Sequence, residues 1–486
     1  MAPNLIFMLV DDLGWRDLSC TGSTFYETPN IDRLAKAGMR FTRAYAACPV
    51  CSPSRASILT GKYPVRVGIT DYINWGRDGS DAHGHAKGYL VDAPYADHLP
   101  LEEVSLARAL QEGDYQTWHV GKWHLGREPY HPEHHGFETN IGGCMVGCPI
   151  GPGYFSPWGI PALEGVTVPP GTHLDEYLTG EACRLIRQRD PARPFFLNLW
   201  FYLVHTPLQE RPERIAKYEA KRKAMGLDGL EETREGDFFP CDHKKGQRIT
   251  RRLVQSHPVY AAMVETLDDC VGRVLKTLEE EGILENSVLV FTSDNGGLAT
   301  AEGSPTCNLP LAEGKGWRQE GGVREPLLIS WPGRVVPGSV CETPITSPDF
   351  YPTFLEAAGL PLRPEQHVDG QSLVPLLTQQ GSLSRDALYW HYPHYGNQGG
   401  TPGAAILVGR YKLLEHFEDG RVELFDLESD PAESVDLSKL EPTLTAKLKA
   451  RLDAWKNEVG ARHPTVNKAF TPWSEAHARK GWKPWV

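Results

Sequence analysis

In Pro3-Asn4-Leu5-Ile6-Phe7-Met8-Leu9-Val10-Asp11-Asp12, residues 5–10 are an unbroken apolar run that stops on two adjacent carboxylates. Consecutive apolar side chains cannot alternate between core and water, so the run reads as a strand buried on both faces, as in a parallel sheet. No basic n-region precedes it and no small-residue cleavage site follows, so it does not read as a signal peptide. The expected location is the cytoplasm, or the periplasm or exterior where an export signal has been removed.

The same grammar recurs along the first two-thirds of the chain. A helix around 30–37 follows the first strand. Helices at 101–111, 174–188 and 257–281 precede apolar strands at 116–120, 195–200 and 287–292. Strands alternating with helices imply an α/β fold with a large, mostly parallel central sheet sandwiched by helices. Chemistry in such sheets gathers at the carboxyl ends of the strands. Asp11-Asp12 and Ser293-Asp294-Asn295 both stand directly after a strand. Beyond residue 380 the pattern changes: 403–415, a turn at Glu418-Asp419-Gly420 and 422–426 read as antiparallel strands, and 443–458 as a helix. The expected organisation is a catalytic unit over 1–380 and a smaller α+β domain over 381–486. A length of 486 residues, too great for one ordinary core, agrees. The charge-rich stretch 208–256 reads as a solvated insertion near the site mouth.

Composition is ordinarily globular, 40% hydrophobic and 23% charged, and no apolar run is long enough to span a membrane. A formal charge of −12 disfavours nucleic acid and anionic membrane surfaces as partners, and means that an anionic substrate needs local cations. Ten cysteines are too sparse for a disulfide scaffold, although Cys48-Pro-Val-Cys51 has redox-pair spacing and Cys144 and Cys148 are near enough in sequence to bridge.

The most specific string is Cys51-Ser52-Pro53-Ser54-Arg55-Ala56-Ser57-Ile58-Leu59-Thr60-Gly61. Pro53 suits a first helical turn and Gly61 an end, which places Cys51 at a helix start, where free N–H groups favour an anion. The string resembles the signature of the type I, formylglycine-dependent sulfatases, C-x-P-S-R followed by L-T-G. Its companions occur in the family's order: the opening strand with Asp11-Asp12, Gly121-Lys122-Trp123-His124-Leu125-Gly126, Val204-His205-Thr206-Pro207, Thr292-Ser293-Asp294-Asn295-Gly296, and Glu313-Gly314-Lys315-Gly316.

The resemblance implies an alkaline-phosphatase-like fold and sulfate-ester hydrolysis. It implies that a maturase converts Cys51 to formylglycine, and that Asp11, Asp12, Asp294 and Asn295, with residue 51, hold Ca2+; hard oxygen ligands suit that ion better than zinc. Arg55, Lys122 and Lys315 would hold the sulfate. Lys62 would steady the nucleophile. One hydroxyl of the hydrated aldehyde would attack sulfur in line, His205 would protonate the leaving alcohol, and His124 would take the proton that lets the sulfated intermediate collapse back to aldehyde. Water then never has to attack that intermediate's sulfur.

A phosphate or phosphonate monoester hydrolase of the same superfamily is the rival reading, disfavoured because Asp294 is followed by Asn rather than His. A non-catalytic glycan-binding relative is the other. The resemblance leans toward a sulfated carbohydrate, with a galactose-type 4-O-sulfate first. Candidate rim residues are Trp75, Arg77, the stretch 142–153, the aromatic stretch Tyr389–Asn397 (equally readable as a packed domain boundary), and the histidines at 131, 134 and 135.

Overall fold

The computed structural model describes residues 2–74 and 88–472. A central sheet takes, in chain order, β1 (Asn4–Val10), β2 (Met39–Tyr45), β3 (Gln116–Gly121), β4 (Thr139–Ile141), β5 (Phe195–Trp200), β6 (Ser287–Ser293), β7 (Arg324–Ser330), β8 (Ser339–Cys341) and β9 (Ile345–Thr346). Their order across the sheet is β8-β2-β7-β6-β1-β5-β3-β4, with β9 also on β2. The β6-β1-β5-β3-β4 half is parallel throughout, whereas β7 runs antiparallel to both β2 and β6.

Strand β1 is wholly buried, and its two side-chain sets part company as the pleat requires. Ile6, Met8 and Val10 join one core with helices α3 (Leu174–Gln188) and α4 (Pro258–Glu280), beside α1 (Pro29–Ala37). Leu5, Phe7 and Leu9 join a second core with α2 (Cys51–Thr60) and α5 (Phe350–Ala357). Both faces are therefore covered, which is why the run carries no polar residue.

A second, antiparallel sheet of β10 (Ala387–Tyr392), β11 (Gly403–Val408), β12 (Tyr411–His416) and β13 (Val422–Asp426) is covered by α6 (Pro442–Glu458). It is tied to the first by buried Lys412, which donates to Glu320 at 2.9 Å and lies 3.1 Å from Glu433. Among the described residues, no helix is long and apolar enough to cross a membrane.

One local expectation needs correction. The helix expected over 101–111 begins only at Leu106, because Ser105 caps it by accepting from the Arg108 N–H at 3.1 Å. The charged insertion forms a helix (Pro212–Ala224) and a hairpin (Thr233–Phe238 with Arg248–Arg252). All ten cysteines are free thiols, so neither Cys48–Cys51 nor Cys144–Cys148 is bridged.

Candidate active site

Register brings the polar strand ends together. Val10 pairs with Ser293, which sets Asp11-Asp12 beside Asp294-Asn295, and the Asp294 N–H donates to the Val10 carbonyl at 3.1 Å. At the end of β3, Lys122 follows Gly121, whose Cβ would lie 1.9 Å from the Trp200 carbonyl, so glycine alone fits there. At the end of β5, the chain turns to His205. Asp12 and His124 hold φ of 65° and 59°, left-handed backbone that non-glycine residues adopt at some energetic cost and that gathers at functional sites.

Cys51 is the first residue of α2, a helix buried along its whole length and closed by Gly61 at φ 69°. Val50 offers no side-chain cap, so the positive end of the helix is left to whatever residue 51 holds. The signature serines brace the start: Ser54 Oγ donates to the Cys48 carbonyl at 2.9 Å. Ser52 Oγ donates to the His124 carbonyl at 2.9 Å and accepts from the Ile73 N–H at 3.0 Å. His124 Nε2 donates to the Ile73 carbonyl at 2.6 Å, which leaves Nδ1 as the bare acceptor 3.2 Å from the Cys51 sulfur.

Three buried cations face three buried carboxylates. Arg55 meets Asp294 at 2.7 Å and stacks 5.0 Å over the Trp200 ring, Lys122 reaches Asp11 at 2.6 Å, and Lys315 reaches Asp12 at 2.8 Å. Burial, reinforced by Asp294 and Asp12 against the pull of Lys122, pushes the Asp11 carboxyl well above its usual range. Burial acts the same way on Asp12, but Lys315 and His205 outweigh it and hold that carboxyl low. Burial and Lys122 hold His124 far below the usual imidazole range. Burial and Lys315, opposed by Asp12, push His205 down to about 4.

Two oxygens in this cluster, Asp11 Oδ1 and Asn295 Oδ1, are buried without a hydrogen-bond partner. The Asn295 amide explains its own orientation by donating to Asp12 at 2.9 Å. Asp11, Asp12 and His205 bring ligand atoms within 4.8 Å of one another. Orphaned hard oxygens beside clustered carboxylates are what a hard divalent cation requires, so these residues could hold one. Asp294, now engaged by Arg55, borders the same cluster.

Over Cys51 opens a cavity of about 250 Å³ whose lining includes His124, His205, Lys315, Gly147 and Cys148. The rim expectations fare unevenly. From the stretch 142–153, Gly147 and Cys148 reach the cavity. From Tyr389–Asn397 only Asn397 does: Tyr389 stacks on Trp455 at 4.7 Å, Trp390 packs on Tyr45, and the Tyr392 hydroxyl donates to Asp71. That stretch is thus mainly a packed boundary. His131 and His134 pair with Glu128, and His135 is buried against Trp123, so none of the three lines the cavity. Lys62 does not serve residue 51, because Glu103 holds its ammonium at 2.7 and 2.9 Å. Trp75 and Arg77 lie outside the described residues. Tyr72, Asn74, Glu302 and Gln398 line the cavity without any motif to announce them.

The sulfatase family model matches residues 3–360, and the N-sulphoglucosamine sulphohydrolase C-terminal model matches residues 314–458. The chain is 31% identical to a sulfatase of Formosa agariphila, over 93% of this chain and 88% of that one. It is 33% identical to arylsulfatase A of Homo sapiens, over 91% and 80% respectively. The crystal structure of Ps i-CgsB in complex with k-i-k-neocarrahexaose superimposes with a TM-score of 0.73 at 28% identity, covering 94% of this chain and 93% of that one. Strand ends, signature helix and family match agree: the chain belongs to the sulfatase family and is a sulfate-ester hydrolase.

Proposed function

We propose that this sulfatase acts on a sulfated carbohydrate, with residue 51 as nucleophile in its formylglycine form and Ca2+ held by Asp11, Asp12, Asp294 and Asn295. The observation that carries the site assignment is one cavity lined by Cys51, Lys315, His124 and His205, with Arg55 and Lys122 buried against Asp294 and Asp11 in the same cluster of strand ends. Family members generally use formylglycine and Ca2+, and the orphaned oxygens of Asp11 and Asn295 support the metal. The carbohydrate reading is supported by the sugar named for the matched C-terminal model and by the oligosaccharide bound to Ps i-CgsB. We assign the chemistry to residues 1–380 and a supporting role to 381–486.

In this reading calcium, when bound, neutralises the carboxylates and lowers the proton affinity of an oxygen beside it. The chain's own residues do the rest. The start of α2 sets residue 51 against the sulfur, while Arg55, Lys122 and Lys315 spread the charge of the sulfuryl oxygens. His205, whose Nδ1 donates to the Thr206 carbonyl at 2.7 Å, presents Nε2 to the site. An arriving anionic ester raises its proton affinity, and it then protonates the leaving alcohol. His124 Nδ1, bare and beside residue 51, takes the proton that residue releases.

The test is sulfate release from a panel of sulfated sugars, galactose 4-O-sulfate first, by protein co-expressed with a maturase and with Cys51→Ala as blank. Turnover of a sugar absent from the blank supports the reading. Turnover of aryl sulfates but no sugar defeats the carbohydrate assignment, and faster phosphate than sulfate release from matched esters defeats the choice of sulfur over phosphorus.

A further inference from the structure

The cavity over Cys51 is electrically two-sided. Among its described lining residues two carry charge: Lys315, beside Cys51, and Glu302. The wall around Glu302 is neutral and polar, made by Tyr72, Asn74, Asn397 and Gln398. A carboxylate is an unexpected lining for a cavity that admits an anion, since it repels the substrate it faces.

Glu302 is nonetheless held there. Gln398 Nε2 donates to its Oε1 at 3.0 Å and the Thr206 hydroxyl to its Oε2 at 3.4 Å. The backbone at Glu302 is left-handed, φ 54°, within a loop pinned to the hairpin of the charged insertion. Arg252 N–H donates to Ala299 at 3.0 Å and Ser304 Oγ to Thr250 at 2.5 Å. Thr206 follows His205, the residue placed above as acid to the leaving alcohol. The carboxylate therefore stands on the leaving-group side, and each oxygen, carrying one donor, retains capacity for a further hydroxyl.

We propose that Glu302 determines which leaving alcohols this site accepts. Its carboxylate takes hydrogen bonds from neutral hydroxyls next to the scissile sulfate and turns away alcohols bearing a second sulfate or a carboxylate there. The inference rests on the cavity being the sulfate-ester site, but not on the substrate being a sugar.

The experiment measures kcat/KM of the matured enzyme and of Glu302→Gln on two pairs of esters. One pair is 4-nitrophenyl sulfate and its 2-carboxylate; the other is a monosulfated galactose and its vicinal disulfate. Because each comparison is a ratio within one preparation, a change in the active fraction cancels. Two like charges about 6 Å apart repel by between about threefold in bulk water and about a hundredfold at a protein surface, so for the solvent-exposed Glu302 the charged-to-neutral ratio should rise about tenfold in Glu302→Gln. That gain should shrink with added salt. A ratio unchanged within twofold in every pair that turns over, or a wild-type preference for the more anionic ester, overturns the proposal. If only the aryl pair turns over and its ratio moves, the carbohydrate reading fails and the role of Glu302 stands.

Discussion

Serine in place of Cys51 lacks one hydroxyl of the hydrated formylglycine, and in the proposed mechanism that hydroxyl decides turnover. Cys51→Ser should release at most one equivalent of alcohol and then stop, because the sulfated serine has no second hydroxyl through which to collapse. Sustained sulfate release from this variant would contradict the mechanism. The acid role of His205 has its own signature: His205→Ala should lose about 10²–10⁴-fold in kcat on an alkyl sulfate but far less on 4-nitrophenyl sulfate, whose leaving group needs no proton. Equal losses on both would remove His205 from that role. Asp294 offers a binding readout. Asp294→Ala should weaken calcium binding, measured by equilibrium dialysis, because it deletes a hard oxygen ligand and also frees Arg55, held at 2.7 Å, to oppose the cation. At this scale the sequence was most legible where a motif announced the residue. Cys51, Lys122, His124, His205, Lys315 and the four proposed ligands assemble as their strings suggest, whereas Glu302 and Asn74 come from loops with no pattern, since only the fold brings them to the cavity. Lys62 misled because adjacency in sequence at a helix end says nothing about direction in space.

Among the elements, the loop carrying Gly147 and Cys148 shows how tightly the site is built. A Cβ on Gly147 would lie 2.4 Å from His124 Cε1. Gly147→Ala should therefore displace the imidazole and lower kcat at least tenfold. The melting temperature should stay within a few degrees of wild type, because the clash falls on the His124 side chain alone and touches no strand or helix backbone. A normal rate would show that the ring is free to move. Strands β1, β3, β5 and β6 and helices α1, α3 and α4 were readable from the alternation of apolar runs with helical stretches, whereas the short parallel strands β4, β8 and β9 were not. Strand β7 was not: its Arg-Glu-Pro opening looks like a turn, and only tertiary pairing with β2 and β6 makes it a strand.

For the molecule as a whole, Lys412 is a buried ionic coupling between the two sheets, beside the apolar packing of Tyr45 on Trp390. Removing it leaves Glu320 and Glu433 buried together, so Lys412→Met should cost about 3–5 kcal/mol, visible as a lower urea midpoint. Adding Glu433→Gln should recover part of the loss. A midpoint unchanged by Lys412→Met would show that the sheets do not depend on this contact. None of this was legible in the sequence, where Lys412 is one basic residue on an amphipathic-looking strand. The whole of α2 is buried, with Cys51 only 3% exposed. A small ester can find residue 51 through the cavity, but another enzyme's active site cannot close around it. If residue 51 works as the proposed formylglycine, arming it is then a matter of timing: it has to happen while the chain is still open, and a molecule that folds first keeps an idle thiol for the rest of its life.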